Sequence, residues 1–163
     1  MRFSTSVHYD APAAQVADLW RREDYQLARA HKAGAERVVV TINGEDELTI
    51  TVRAEIPSDH VPPAARRFVG SRLQLTTVEV WQAPAADGRR VGSLSLDIAG
   101  APVRVRAHME LTPDGDECVK TYEGEVNANV PLFSGPIERA AVGATDDIVE
   151  AEKSIALEFL KRE

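Results

Sequence analysis

Hydrophobic and polar positions alternate along most of this chain, and the alternation gives way to helical spacing after the first strand and again near the C-terminus. Over residues 48–56, Leu48, Ile50, Val52, Ala54 and Ile56 take turns with Thr49, Thr51, Arg53 and Glu55. A period of two places the first set on one face of a strand and the second on the other, so the sheet has one wet face. Residues 2–9 read the same way, with Phe3, Thr5, Val7 and Tyr9 together, and residues 38–42 form a strand joined to 48–56 across Asn43-Gly44, a tight-turn dipeptide. Three further turn signals, Asp87-Gly88, Gly100-Ala101-Pro102 and Pro113-Asp114-Gly115, separate strands over residues 72–82, 89–98, 103–112 and 117–126. In the third of these, Val103, Val105, Ala107, Met109 and Leu111 face one way and Arg104, Arg106, His108 and Glu110 the other. Short turns between successive strands imply antiparallel pairing.

Asp10 and Pro12 signal a helix start after the first strand, with Val16, Leu19 and Trp20 as its apolar stripe. A second short helix is expected over residues 24–31, ending near Gly34, and a helical turn or two over 64–69. Residues 130–163 read as one uninterrupted amphipathic helix. Ser134, Gly135 and Pro136 supply an N-cap and first turn, and Glu138 suits the positive end of the helix dipole. Ile137, Ala141, Ala144, Ile148, Ala151, Ile155 and Phe159 then follow the spacing of a single buried face. From Pro136 to Lys161 such a helix is roughly 39 Å long at 1.5 Å per residue.

The expected architecture is α+β: a curved seven-stranded antiparallel sheet wrapped around a long C-terminal helix, with two short helices after the first strand. One helix cannot cover seven flat strands, so the sheet must curve, and a curved sheet with a helix across its mouth encloses volume for a ligand. No linker, repeat or low-complexity tract divides the 163 residues, and the expectation is a single domain, 1–163.

Charge narrows the partners. The net charge of −7 argues against nucleic acid and anionic membrane as partners. Residues 107–163 carry −8 and residues 1–106 carry +1, and Arg66, Arg67, Arg72, Arg89, Arg90, Arg104 and Arg106 cluster mid-chain, either as solvated strand faces or as an entrance for an anionic head group. No stretch approaches the ~20 apolar residues of a membrane span. The N-terminus lacks a signal-peptide core, which points to the cytoplasm. A single cysteine, Cys118, excludes an internal disulfide and reads as a small buried side chain. Oligomeric state is not legible.

In its order of elements nearly the whole chain resembles the START-like superfamily, also called SRPBCC, helix-grip or Bet v 1-like, which includes lipid-transfer domains, pollen-allergen-like proteins and polyketide cyclases. Residues 130–138 (Val-Pro-Leu-Phe-Ser-Gly-Pro-Ile-Glu), with Val78-Glu79-Val80-Trp81 and Gly100-Ala101-Pro102-Val103, are similar to a mainly actinobacterial family of unassigned function. The resemblance implies a cavity, usually apolar, between the long helix and the sheet.

Ala140, Ala141, Gly143 and Ala144 make the first half of the long helix small-sided, so it either packs close to the sheet or leaves room for a ligand beside Val142, Thr145 and Ile148. Trp81, Met109, Tyr122, Phe68, Leu132 and Phe133 are the larger side chains that could line the same space or simply fill the core. The parity of the strand over 72–82 is open: if Trp81 points inward so does Glu79, and an inward carboxylate needs a partner or acquires a raised pKa. Otherwise Glu79 is a solvated strand residue. Asp146, Asp147, Glu150 and Glu152 read as the wet face of the helix. His8, His31, His60 and His108 have no metal-ligand spacing, and no nucleophile elbow, P-loop or dinucleotide motif occurs, so no catalytic residue, metal or cofactor is assigned. The function read from the sequence is binding of a small hydrophobic or amphipathic ligand (a lipid, isoprenoid or polyketide-like molecule) by Trp81, Met109, Tyr122, Leu132, Phe133, Ala141, Val142, Ala144, Thr145 and Ile148. The alternatives are a cyclase or dehydratase using Glu79 or Tyr122 as acid/base in the same cavity, or a protein-interaction module docking through the acidic helix face.

Overall fold

Every period-two segment forms a strand in the computed structural model, which describes residues 1–60, 63–67, 71–99, 102–130 and 132–162. The strands are β1 (Arg2–Tyr9), β2 (Glu36–Asn43), β3 (Leu48–Pro57), β4 (Arg72–Trp81), β5 (Arg90–Ala99), β6 (Val103–Asp114) and β7 (Glu117–Ala128). They make one curved antiparallel sheet in the order β1-β7-β6-β5-β4-β3-β2, so β2 to β7 are a meander and β1 closes beside β7. Helices α1 (Ala13–Trp20) and α2 (Glu23–Lys32) follow β1, and α3 (Pro63–Arg66) lies between β3 and β4. Phe68, Val69, Gly100 and Ala101, all used in the sequence reading, lie outside the described residues.

Two local expectations change. The connection from β2 to β3 is a four-residue loop, 44–47, in which Gly44 at φ 101° supplies the reversal, rather than a two-residue turn. The closing helix is built as two segments, α4 (Ser134–Gly143) and α5 (Thr145–Lys161), interrupted at Ala144. The Thr145 hydroxyl donates to the Val142 carbonyl at 2.8 Å, a local bond that competes with the helix ladder directly after Gly143, a weak helix former. Ser134 is the first helical residue rather than the cap, and its hydroxyl is tied to the backbone of Val130.

The interior is divided. One apolar cluster joins α1, α2 and α5 to the sheet through Leu19, Trp20, Tyr25, Leu48, Ile50, Met109, Leu111 and Phe159. A smaller one, of Leu73, Ala128, Val130 and Ile137, ties α4 to the far ends of β4 and β7. Between them the register runs Val52, Thr77, Leu96, Val105 and Val126 across the concave face, followed by Ala54, Leu75 and Ile98. Thr77, Leu75, Leu96, Ile98 and Val105 point inward from central strands yet are only half-buried. The concavity is therefore filled at one end and accessible beyond it, in the stretch before the smaller cluster, and that stretch is its accessible end.

Candidate functional site

The filled end begins with two tryptophans. Trp20 ends α1 and stacks on Trp81 of β4 at 4.2 Å between ring centroids and 16° between planes, and both are fully buried. Gly92 lies beneath the Trp81 indole: a Cβ there would sit 2.8 Å from Trp81 Cε3 and 2.6 Å from the Val80 carbonyl oxygen, so only glycine admits the ring. The parity of β4 is thereby settled. Trp81 points inward, and Glu79, two residues earlier, does too, with 5% of its surface exposed.

The expectation of a solvated Glu79 is corrected, because the carboxylate has buried partners. Arg29, from α2, donates through Nη2 to Glu79 Oε1 at 2.7 Å, and Trp81 Nε1 donates to Oε2 at 3.3 Å. The reading of Glu152 as wet helix face is corrected as well: it is 4% exposed. The helix buries Val149, Glu152, Ile155, Ala156 and Phe159, so Ile155 and Phe159 of the expected stripe are inward and Val149, Glu152 and Ala156 widen it. Ile148 lies four and seven residues before Glu152 and Ile155, on the same side of the helix, yet is 53% exposed, and Ala151 is half-buried.

Glu152 is the hub of the site. Its Oε1 accepts from Lys120 Nζ at 2.7 Å and from the Tyr9 hydroxyl at 3.2 Å, and its Oε2 accepts from the Tyr122 hydroxyl at 2.7 Å. Arg29 Nη1 reaches Oε1 at 3.5 Å. Lys120 is fully buried, and its ammonium lies 5.4 Å from the Trp20 ring centroid, 5.5 Å from that of Trp81 and 4.8 Å from that of Tyr122. Aromatic faces and one carboxylate thus replace its hydration.

Two carboxylates against two cations leave the group electrically balanced. Burial pushes the Glu152 carboxyl up, but Lys120 and Arg29 outweigh it and hold the group down at about 2. For Glu79 burial likewise opposes Arg29 and Lys120, and the cations win, so its pKa is lowered rather than raised. Tyr9 and Tyr122 are driven well above the ordinary phenol value, first by burial and then by the neighbouring Glu152. All four groups keep fixed charge states across neutral pH. The hydroxyl of Tyr25, which is fully buried, has no hydrogen-bond partner, and it lies within the electrostatic reach of Glu152, Arg29 and Glu79.

The ten expected ligand residues separate accordingly. Trp81, Met109 and Tyr122 share one register row at the filled end, with Gly92 between the first two. Phe133 directly before α4, Ala141 and Val142 on α4 and Thr145 at the start of α5 are half-buried. Leu132 is 94% exposed in the turn before α4, with φ at 68°, Ala144 is exposed at the break between α4 and α5, and Ile148 is 53% exposed. Sequence reasoning missed Arg29, Lys120, Glu152 and Tyr9. The signal for Lys120 was present: Cys118, Tyr122 and Val126 alternate inward on β7, and Lys120 is in phase with them. Among the mid-chain arginines, Arg72 pairs with Glu36 and Glu55, Arg89 with Glu110, and Arg104 and Arg106 with Asp97. Arg90 is buried on the carbonyls of Gln82 and Asp46. Cys118 is buried and its thiol pushed up to about 11 by burial. Among the described residues no group of three or more His, Cys, Asp or Glu is placed to hold a metal ion, and no helix is long and apolar enough to cross a membrane.

The fold is shared with known structures. Human STARD10 superposes with a TM-score of 0.66 at 10% identity, over 98% of this chain and 64% of that one. A STAR-related lipid transfer protein fragment from Xanthomonas axonopodis gives 0.63 at 16% identity, covering 95% and 85%. The Zhui aromatase/cyclase from Streptomyces sp. R1128 gives 0.61 at 13% identity, covering 99% and 94%. These likenesses establish a START-like helix-grip fold. No curated protein matches the chain in sequence. The family model described as protein of unknown function (DUF2505) matches residues 4–160, and the chain belongs to that family.

Proposed function

We propose that this protein binds a small hydrophobic or amphipathic molecule, of the lipid, isoprenoid or polyketide-like kind, on the accessible end of its concave face. The observation that carries the reading is that Leu75, Leu96, Ile98 and Val105 point inward from the middle of the sheet and remain half-buried. Inward aliphatic side chains at the centre of a sheet are ordinarily sealed by what packs on them, and leaving them accessible forgoes roughly 25 cal/mol per Å². Across the concavity, Ala141, Val142 and Thr145 present small side chains, and the interruption at Ala144 marks the same level of the closing helix. The fold neighbours support the reading, since they include a STAR-related lipid transfer protein and an aromatase/cyclase. The reading takes residues 1–163 as one START-like domain acting in the cytoplasm, and retains the resemblance to an actinobacterial family.

Binding is preferred to the cyclase alternative on the state of the two residues that alternative needs. Glu79 is held ionised by Arg29 and Lys120 against the cost of its burial, and Tyr122 is held protonated by burial beside Glu152. A general acid or base works best with a pKa near the operating pH, and these two are moved in opposite directions away from it.

The test is fluorescence titration of the purified protein with N-phenyl-1-naphthylamine, a neutral apolar probe, alongside Leu96→Trp, which puts an indole into the accessible space. Saturable binding by the natural protein and at least about tenfold weaker binding by the variant, with unchanged circular dichroism, is the expected outcome. Equal binding by the two proteins would remove the concave face as the site.

A further inference from the structure

Glu79 and Arg29 stand where the filled and accessible ends of the concavity meet. Glu79 follows the half-buried Thr77 on the inward face of β4 and pairs in register with half-buried Leu94 on β5. Gly124, next along the inward face of β7 from Tyr122, is half-buried too. Arg29 keeps 15% of its side chain exposed, more than Glu79 at 6%, Glu152 at 4% or Lys120 at none. Any molecule lying on Leu96 and Val105 therefore meets this pair with its inner end.

The hydrogen-bond inventory at that junction is incomplete in a particular way. Arg29 has five N–H donors and uses one at 2.7 Å and another at a long 3.5 Å. Glu79 Oε2 accepts only from Trp81, at 3.3 Å, although a carboxylate oxygen accepts two bonds readily. The fully buried Tyr25 hydroxyl beside them has no partner at all. Spare donors and a spare acceptor are thus offered side by side, while the charges of Arg29, Lys120, Glu79 and Glu152 already cancel. An incoming anion would find its cation engaged and two carboxylates near; an incoming cation would meet two buried positive groups. A hydroxyl can donate to Glu79 and accept from Arg29, and a carbonyl can accept from Arg29, each without adding a charge that nothing balances.

Resting on the binding function proposed above, we infer that the ligand's polar end is an uncharged hydroxyl or carbonyl group received at the Arg29–Glu79 pair, and that ionised head groups are rejected. The specificity is of the kind in which unpaired charge against the wrong ligand discriminates as strongly as contact with the right one.

The experiment displaces N-phenyl-1-naphthylamine near neutral pH with four twelve-carbon compounds: dodecane, 1-dodecanol, dodecanoate and dodecylammonium. The expected order puts 1-dodecanol at least about tenfold ahead of either ion, with dodecane between. Glu79→Gln removes the nearer counter-charge of Arg29, leaves the network with one unmatched positive charge, and should shift preference toward dodecanoate by about tenfold or more, a direction that loss of packing would not produce. The double variant Glu79→Gln with Arg29→Gln restores neutrality and should return the preference for 1-dodecanol. Displacement by dodecanoate as good as or better than by 1-dodecanol in the natural protein would overturn the inference while leaving the binding function standing. Failure of the natural protein to take up the probe at all would overturn both, and the comparison in the natural protein decides even if a variant fails to fold.

Discussion

The two ends of the concave face are made from the same strands and differ in nearly everything else. At the filled end the inward positions hold Trp81, Met109, Tyr122 and Lys120, each matched by a residue of α1, α2 or α5: Trp20 stacks on Trp81, and Glu152 takes Lys120 and Tyr122. At the accessible end the same strands present Leu75, Leu96 and Val105 only half-buried, with Ile98 at the edge of the smaller cluster. The difference arises within a few residues along each strand, so it is not a property of the sheet but of what is laid across it. A charge-balanced buried network demands an unyielding surround, because each charge left unpaired is costly. Such a network gives the molecule a rigid end against which an unfilled end can be held open.

The comparison is broken most strongly by unbalancing the network. Lys120→Met takes a fully buried cation from Glu152 and should cost about 3–5 kcal/mol of unfolding free energy, read by chemical denaturation. Protons reach the same network from another direction. Glu152 in the folded chain ionises at about 2 against an ordinary 4.5, so on acidification the unfolded chain takes up the proton first. Its contribution is fully present above about pH 4.5 and lost as pH falls toward about 2, and Glu79, whose carboxyl is also held down by Arg29 and Lys120, adds to the loss in the same direction. Thermal melts across that window should show a steep loss, which the Lys120→Met variant blunts.

A paired truncation compares the ends directly. Leu48→Ala at the filled end, where the side chain is 1% exposed, should cost about 2–5 kcal/mol, whereas Leu96→Ala at the accessible end should cost under about 1 kcal/mol. Equal losses would mean that the accessible end is packed as tightly as the other. The glycines give the smallest contrast. Gly92→Ala drives a methyl into the Trp81 ring and the Val80 carbonyl and should destabilise by about 1–3 kcal/mol. A Cβ at Gly143 meets nothing within 4 Å, so Gly143→Ala should stabilise by about 0.5–1 kcal/mol, with a gain in helical circular dichroism if the break at Ala144 closes.

How much of this was legible in the chain divides along the same line. Strands were readable because alternation is a local signal: β1 was placed to the residue, and β3 to within one residue at its end. Burial along the long helix was legible only in part: Ile137, Ile155 and Phe159 are buried as their spacing predicts, whereas Ala144 and Ile148 are exposed, because periodicity sets a face but not what packs on it. Glu152 was assigned to solvent on its charge alone. What reverses that assignment is Lys120 on β7, Arg29 on α2 and two tyrosines, contacts between residues as far as 143 positions apart that no periodicity encodes. Glu79 shows the intermediate case, since its inward direction followed from Trp81 once parity was known, but its lowered pKa required the partner to be seen.

The central claim, that one end of the concave face is open for a ligand and the other is closed, is tested most directly by methyl-resolved NMR during titration with N-phenyl-1-naphthylamine. The account predicts that the methyl signals of Leu75, Leu94, Leu96, Ile98 and Val105 move together and saturate, while those of Val7, Leu48, Ile50 and Leu111 stay in place. Shifts confined to the filled-end methyls or to residues of the outer face, or no saturable shift in the concave set, would contradict it.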